Sequence, residues 1–486
     1  MPSVFVMVFD GLQPSQVTPE LMPGLAAFAD EGVRFTRHHA VFPTVTRINA
    51  ASIVTGRYPG GHGLAANMMV MRSLDPSVPF QVLEPDLRRL AAASGGRVLL
   101  APPLGDILAP HGLQYVAVGA GTSGNAYAHN PHPDSSLGAT IHPDFCLPDD
   151  LHNHLLSRFG PWPGEALPND ARVRHAGRIL TDYVLPERAP AVALLWSSEP
   201  DKSQHAAGVN SELSRQALAA ADAEFTRVLR WLEDNGRAGD TDVLVASDHG
   251  YSTITEVVPV EALLRDAGFP PGGAPGGVVV APNGGSVLFY SDPLDPGTID
   301  RLAEWLMSQP WCGSLLASRL ASPGGLPAGT LPAALAGGEG ERGPDLMMSF
   351  AWDSRPNVAG VPGHAFASGG AAGVGQHGSM SRHELRATLI ARGPRFKSGL
   401  ASEVPSGNVD LAPTILRLLG LGGGDQMDGR VLWEALADGP DPSDVEVSVS
   451  PHDAERQVGG GVYRQTVQTS HVGGTSYLDE GRATLE

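Results

Sequence analysis

Residues 43–67, PTVTRINAASIVTGRYPGGHGLAAN, are the stretch around which the rest of the chain is arranged. The pattern predicts a tight turn and then a short helix that begins at Thr46, with an apolar side and with Gly56 as its C-terminal cap. A hydroxyl at the start of a helix lies among unpaired backbone N–H groups, where the helix dipole favours negative charge. Thr46 therefore has two interpretations: a plain helix N-cap, or a side chain that holds a phosphoryl group.

The bulk composition limits the classes of protein to which the chain can belong. Its 486 residues are enough for a large core with insertions, and its 60 glycines and 42 prolines predict many turns and long connections. A net charge of −19, with Lys202 and Lys397 as the only lysines, argues against binding to a nucleic-acid polymer. The cysteines Cys146 and Cys312 follow no metal or redox spacing, so we expect no disulfide framework.

The first residues, MPSVFVMVFDG, have the pattern of a buried strand rather than of a charged segment followed by an apolar leader. No uninterrupted apolar run in the sequence is long enough to cross a bilayer. We therefore expect a cytoplasmic protein that does not associate with a membrane.

The order of strand and helix patterns predicts the fold class. Apolar strand patterns at 4–9, 191–196 and 242–246 alternate with helical patterns, of which 211–235 is the longest. This alternation predicts an α/β fold with a mostly parallel central sheet sandwiched by helices. We assign residues 1–257 and 366–486 to this catalytic core, and the glycine- and proline-rich residues 258–365 to a small α+β cap insertion.

Three other segments have weaker patterns. Residues 97–101 have the composition of a strand, and residues 119–169 are irregular except for an amphipathic piece near 151–159. A connection of that length inside a compact domain is usually functional or an insertion. The tail from residue 444 alternates like β-structure, and we expect it to add edge strands.

Potential metal ligands stand at four places, each just past an apolar strand pattern or in a loop bounded by glycine. They are Asp10, Asp201, His205, Asp248, His249 and His377. The i, i+4 spacing of Asp201 and His205 places both on one side of a helical turn, whereas Asp248 and His249, adjacent at a strand end, are expected to diverge. Three carboxylates and three imidazoles suit two divalent ions, zinc first, with manganese or another transition metal as alternatives.

Two such ions would give the hydroxyl of Thr46 a chemical role. A pair of cations clamps an in-line phosphoryl transfer, and coordination to one of them would make the hydroxyl a covalent nucleophile. Each place alone also has an ordinary interpretation: Asp10-Gly11 is a turn signal, SDHG is compatible with a plain loop, and Asp201 with His205 is compatible with a surface pair. Their recurrence in the same structural context favours a metal centre.

The chain also resembles a known family. Asp10, FPTVT with Thr46, TGRYPGGHGLAAN, EPDKSQH, ASDHG and GQHG occur in the order seen in the alkaline phosphatase superfamily, most closely its nucleotide pyrophosphatase/phosphodiesterase branch, with phosphonoacetate hydrolases as near relatives. The resemblance implies one zinc on Asp201, His205 and His377, and a second on Asp10, Thr46, Asp248 and His249. It also implies that the amide of Asn67, together with the backbone N–H of Thr46, steadies a nonbridging phosphoryl oxygen.

Two features depart from these relatives: one from the nucleotide pyrophosphatase/phosphodiesterase branch and one from the phosphonoacetate hydrolases. Members of the branch usually carry phenylalanine directly after the nucleophile, whereas this chain has Arg47, which can bind phosphate or carboxylate oxygens. The alternative is that Arg47 points away and pairs with a surface acid. Phosphonoacetate hydrolases use lysines for the substrate carboxylate, and residues 119–169 contain none.

These observations predict a two-metal phosphodiesterase, or nucleotide-pyrophosphatase-like hydrolase, that acts on small phosphorylated molecules through a phosphothreonine at Thr46, with Asn67 and Arg47 assisting. The first alternative is a phosphonate or phosphomonoester hydrolase on the same site, and the second is a metal-dependent phosphomutase or phosphotransferase. A sulfatase is disfavoured because no cysteine lies near position 46. The oligomeric state stays open between a monomer and a homo-oligomer.

Overall fold

The largest feature of the computed structural model, which describes residues 3–132, 137–459 and 461–486, is a nine-stranded sheet. Across the sheet the strands are Leu400–Ser402, Val33–Phe35, Leu389–Arg392, Thr241–Ala246, Ser3–Phe9, Val192–Ser197, Tyr115–Gly119, Gly138–Ile141 and Cys146–Leu147. Leu389–Arg392 and Cys146–Leu147 run antiparallel to the strands they pair with, and the remaining pairings are parallel. The predicted mostly parallel sheet is confirmed.

Helices cover both faces of this sheet. On the central strand Ser3–Phe9, the odd-numbered apolar residues pack with helices Pro23–Glu31 and Glu212–Asp234, whereas the even-numbered residues pack with Thr46–Thr55 and Leu411–Leu418. Because successive side chains of a strand point to opposite faces, a fully apolar strand is buried on both sides. The predicted three-layer α/β architecture follows from this pattern.

The helices vary from single turns to one of 23 residues. In chain order the α-helices are Pro23–Glu31, Thr46–Thr55, Pro59–His62, Glu84–Ala93, Leu104–Leu108, Ser123–His129, Asp150–Phe159, Asp170–Ile179, Asp201–Ala207, Glu212–Asp234, Val260–Asp266, Pro296–Met307, Arg382–Leu385 and Leu411–Leu418, and a π-helix spans Leu180–Arg188. Within the described parts of the chain, none of the helices is both long enough and apolar enough to cross a bilayer.

Four smaller sheets lie outside the central one and before the tail. A five-stranded sheet packs with helices Val260–Asp266 and Pro296–Met307 and consists of Val278–Asn283, Ser286–Ser291, Leu346–Phe350, Cys312–Ala317 and Leu331–Pro332. A four-stranded sheet consists of Trp352–Pro356, Pro362–Ala367, Ser252–Val257 and Gly375–Gln376. Two-stranded pairs join His38–His39 to Ser406–Gly407 and Met68–Val70 to Pro79–Gln81. The division between core and cap at residues 258–365 stays a prediction.

The tail does not add edge strands to the central sheet as expected. Strands Ser448–Val458, Gly461–Val472 and Thr475–Leu485 form an antiparallel sheet of their own. The hydroxyl of Tyr463 donates to the backbone carbonyl of Gly313 at 2.7 Å, and the hydroxyl of Tyr477 donates to Asp410 Oδ2 at 2.8 Å. An alternating pattern identifies a half-buried strand but does not identify the sheet to which it belongs.

Two other expectations are wrong. The described parts of residues 119–169, which leave out 133–136, are not irregular: they contain helix Ser123–His129 and strands Gly138–Ile141 and Cys146–Leu147, which complete one edge of the central sheet. A strand of four residues among glycines, prolines and histidines leaves too short a pattern to recognise. Residues 98–101 form bends instead of a strand, although Val98 and Leu99 are buried.

The buried imidazole of His62, the last residue of helix Pro59–His62, makes the stability of the protein depend on pH. Its ring is fully buried, with Nδ1 accepting from the Leu64 amide at 3.2 Å, and burial lowers its pKa from 6.5 to about 3. Between these values the unfolded chain binds one more proton, so the free energy of unfolding decreases as the pH falls from about 6.5 toward 3.

We expect His62→Gln to reduce the slope of unfolding free energy against pH by about 1.4 kcal/mol per pH unit between about pH 4 and 6. Urea unfolding at a series of pH values measures this slope. Equal slopes for the variant and the parent protein would show that the native protein already binds this proton.

Candidate active site

Thr46 is the first residue of helix Thr46–Thr55, which it enters from an extended Val45. Its side chain is buried, and Oγ1 lies 3.5 Å from Asp10 Oδ1 and 3.3 Å from His249 Nε2. Val45, not Thr46, occupies the N-cap position, so the interpretation of Thr46 as a plain N-cap is wrong. Gly56 ends the helix with φ = 65°, as predicted for a left-handed cap.

Two carboxylates of the site follow the ends of neighbouring parallel strands. Asp10 follows strand Ser3–Phe9, and Asp248 lies just past the neighbouring strand Thr241–Ala246. Their orientation is fixed by hydrogen bonds: Asp10 Oδ2 accepts from Trp196 Nε1 at 3.0 Å, and Asp248 Oδ1 accepts from the Gly11 amide at 2.9 Å. Ligands gather at this edge in open α/β sheets because the carboxyl ends of parallel strands meet there.

Asp248 and His249 do not diverge as their adjacency led us to expect. Asp248 Oδ2 lies 3.2 Å from His249 Nε2. The two residues stand beyond the last strand residue, Ala246, in a turn where the alternation of side chains no longer holds. Both therefore face the same point.

The remaining candidate ligands come from a helix and from a short strand. Asp201 and His205 share one face of helix Asp201–Ala207, with His205 Nε2 at 3.4 Å from Asp201 Oδ1, as their spacing predicts. His377 follows strand Gly375–Gln376, and its Nε2 lies 3.5 Å from the same Asp201 oxygen and 3.1 Å from His205 Nε2.

The backbone fixes the tautomer of each imidazole. Nδ1 lies against a carbonyl oxygen in all three: Gly375 for His205, Gly250 for His249 and Thr44 for His377, at 3.1, 3.0 and 2.7 Å. A carbonyl can only accept a hydrogen bond, so Nδ1 carries the proton and each Nε2 presents a lone pair to the centre. Metal-binding histidines are held in this way.

The donor atoms fit divalent cations. Two triads each place their ligand atoms within 4.8 Å of one another: Asp201, His205 and His377, and Asp10, Asp201 and His249. Asp201 belongs to both, whereas the resemblance assigned it to one ion only. Because His249 carries its proton on Nδ1, its Nε2 cannot donate to the buried Asp248 Oδ2 at 3.2 Å, and this oxygen accepts no other hydrogen bond from the described residues, which suits a carboxylate that binds a cation.

With the geometry established, comparison with known proteins decides the family. Residues 4–306 match the family described as type I phosphodiesterase / nucleotide pyrophosphatase.

The chain belongs to this family.

The branch predicted from the motifs is thereby confirmed. A bis(5'-adenosyl)-triphosphatase of Xenopus laevis is 40% identical over 68 residues, which are 14% of this chain and 15% of that protein. An ectonucleotide pyrophosphatase/phosphodiesterase of Caenorhabditis elegans is 22% identical over 275 residues, 54% of this chain and 30% of that protein. The matched segments thus span less than a third of either curated relative.

Solved structures of the family show the same fold. Murine ectonucleotide pyrophosphatase/phosphodiesterase 5, as an inactive variant in complex with AMP, superposes with a TM-score of 0.61 at 15% identity, over 87% of this chain and 96% of that chain. Another structure of the same murine protein gives a TM-score of 0.60 at 16% identity, over 86% and 95%.

In this member of the phosphodiesterase family, Arg47 directly follows Thr46 and pairs with no surface acid among the described residues. Its backbone N–H donates to Asn67 Oδ1 at 3.0 Å, its Nη1 donates to the Asn67 carbonyl at 2.8 Å, and its Nε lies 3.5 Å from Thr122 Oγ1. Within the described residues it forms no ion pair, so that alternative is wrong. Burial lowers the pKa of its guanidinium to about 10, which leaves it charged at neutral pH.

The electrostatics of the centre favour added positive charge. Burial, together with the charges of Asp248 and Asp201, raises the pKa of Asp10 well above its usual range. Burial lowers the pKa of His377 to about 4, so its imidazole is neutral and free to act as a ligand.

Several supporting residues were missed from the sequence. Trp196 is the last but one residue of strand Val192–Ser197 and orients Asp10, and Tyr251 directly follows the SDHG segment and contacts Asp201. The buried Glu384 accepts from Thr44 Oγ1 and from the Ser379 amide, and thereby anchors the residue whose carbonyl holds His377. The sequence feature that could have indicated Trp196 is an aromatic residue with a hydrogen-bond donor near the end of a strand. No feature of the sequence pattern indicated Glu384.

Proposed function

We propose that this chain is a two-metal-dependent phosphodiesterase that acts on small phosphorylated molecules through a phosphothreonine at Thr46. The supporting observation is that the buried hydroxyl of Thr46 lies 3.5 Å from Asp10 Oδ1 and 3.3 Å from His249 Nε2. These two residues belong to a cluster that also contains Asp201, His205, Asp248 and His377. The complex of the murine relative with AMP supports nucleotide-type substrates. Mixed oxygen and nitrogen donors suit zinc first, with manganese or another transition metal as alternatives.

The residues of the chain account for the bond changes. Thr46 Oγ1 attacks phosphorus, the bond to the leaving oxygen breaks with its electron pair, and Asp10 Oδ1, 3.5 Å away, is the carboxylate in reach of the hydroxyl proton. Water then attacks the phosphothreonine, releases phosphate or a phosphomonoester and restores the hydroxyl. Bound cations would supply Lewis acidity toward the phosphoryl and leaving oxygens. The amide nitrogen of Asn67 and the backbone N–H of Thr46 would donate to a nonbridging oxygen.

A substrate panel tests this proposal. Phosphodiester, phosphomonoester, phosphonate and sulfate esters are compared with the protein at measured metal content. We expect diester turnover that requires about two divalent ions per chain. Product analysis with an added acceptor alcohol detects a phosphomutase or phosphotransferase. Full diester turnover in protein freed of metal would contradict the proposal.

One observation favours a second candidate, a phosphomonoester or phosphonate hydrolase on the same site. The guanidinium of Arg47 is largely withdrawn from solvent, lies beside the nucleophile and forms no ion pair within the described residues. A desolvated cation without a counter-ion favours a ligand that carries additional negative charge.

We expect Arg47→Phe to raise the ratio of diester to monoester kcat/KM at least about tenfold, because one charge-assisted hydrogen bond to the extra anionic oxygen contributes 1.5–3 kcal/mol. Arg47→Lys, which keeps the charge, is the matched control and is expected to change the ratio less. If Arg47→Phe lowers both activities equally, the side chain does not discriminate between the substrates.

A further inference from the structure

Tyr251 is a fully buried aromatic residue among the proposed metal ligands, yet none of the chemistry above uses it. It directly follows the turn that carries Asp248 and His249. Its hydroxyl donates to Asp201, at 2.5 Å from Oδ1 and 3.1 Å from the backbone carbonyl. The same Oδ1 faces the Nε2 atoms of His205 and His377, at 3.4 and 3.5 Å.

The ring of Tyr251 also contacts the imidazoles on which the centre depends. Ring centroids lie 5.3 Å from His205, 5.8 Å from His249 and 5.2 Å from His377, at interplanar angles between 54° and 71°. One side chain therefore packs against ligands from three separate segments of the chain. Its hydroxyl fixes a fourth ligand, Asp201, which belongs to both candidate triads.

The neighbouring backbone leaves room for this ring. At Gly11, where φ is +71°, an added Cβ would lie 2.6 Å from Tyr251 Cε2, and at Gly375 it would lie 2.9 Å from Tyr251 Cδ1. Both glycines adjoin ligand-bearing segments, the first next to Asp10 and the second two residues before His377. A side chain at either position would displace the ring, so these segments are built around Tyr251.

We propose that Tyr251 is a positioning residue that holds Asp201 between the two cation positions and so sets their relative affinities. A hydrogen bond to a ligand carboxylate leaves fewer lone pairs for the metal and fixes the direction of those that remain. Asp201 is the carboxylate for which this matters most, because it is the residue that the two candidate triads share. This inference rests on the proposed metal-dependent function.

The test compares full-length wild type, Tyr251→Phe and a matched control, Tyr463→Phe. The control also removes one buried hydroxyl, that of Tyr463 in the C-terminal sheet, which donates to the backbone carbonyl of Gly313. It therefore loses a comparable hydrogen bond away from the centre. Each protein is freed of metal with a chelator and titrated with Co²⁺, and the visible absorption of the bound ion reports its geometry. Melting temperatures monitor the fold.

We expect Tyr251→Phe to bind one of two Co²⁺ equivalents about ten- to a hundredfold more weakly and with a changed spectrum, as is typical when a partner of a metal ligand is removed. Tyr463→Phe should match wild type in both affinity and spectrum. If wild type binds two ions and Tyr251→Phe gives the same affinities and spectrum, the inference is overturned and the proposed function stands. If wild type binds no divalent ion, both fail.

Discussion

Replacing Thr46 with alanine is expected to lower diester turnover by at least about a thousandfold, because the substitution removes the atom that we propose forms the covalent bond to phosphorus. The side chain is buried at the start of its helix and does not serve as the N-cap, so its loss should change stability little. The measurement is kcat for a chromogenic diester at saturating divalent ion, with metal content determined for each protein.

Thr46→Ser is the matched control for this substitution, since it keeps a hydroxyl at the same backbone position and should retain a measurable part of the activity. Rapid acid quenching with a phosphorus-labelled substrate should label the wild-type chain and leave Thr46→Ala unlabelled. A Thr46→Ala protein that retains a tenth or more of the turnover would show that another group attacks phosphorus.

His377→Ala is expected to remove about one of two bound metal equivalents and to lower turnover at least about a hundredfold. The imidazole is buried, its Nδ1 donates to the Thr44 carbonyl, and its Nε2 faces Asp201 and His205. Elemental analysis of purified protein gives the metal content, and the same sample gives the rate.

His364→Ala is the control for the loss of a histidine. His364 lies on strand Pro362–Ala367, its Nδ1 donates to the Arg355 carbonyl at 2.9 Å, and it belongs to neither candidate triad. This variant should keep both metal equivalents and its activity. Full metal content in His377→Ala would require the ligands to be divided differently between the two cations.

Much of the candidate site was predictable because its residues follow strong local patterns. Asp10 ends an apolar strand, and Asp201 and His205 have helical spacing, so their placement depends on short-range geometry. How the segments meet was not predictable in the same way. Asp201 belongs to both triads, and Asp248 and His249 converge. Both facts depend on the path of the chain beyond the strand ends, which hydrophobic periodicity and secondary-structure propensity do not determine.

The same distinction holds for the fold. Long apolar strands and long amphipathic helices were recognised, whereas strand Gly138–Ile141 was not, because four residues give too little alternation to stand out. The strands of the tail were recognised as β-structure but were assigned to the wrong sheet. Strands that pair but lie far apart in the sequence cannot be recognised from a local pattern. The role of Tyr251 was not predicted for the same reason, because its contacts are with residues far away in the sequence.

The C-terminal sheet has a consequence for the order in which the protein is made. Tyr463 bonds to Gly313, and Tyr477 bonds to Asp410, so this sheet contacts both the five-stranded sheet and the helical layer. Both partners leave the ribosome before either tyrosine has been translated. Until the C-terminal sheet is made, the nascent chain must hold these regions without it, and a premature stop codon before residue 448 would leave a product that lacks all three strands of this sheet.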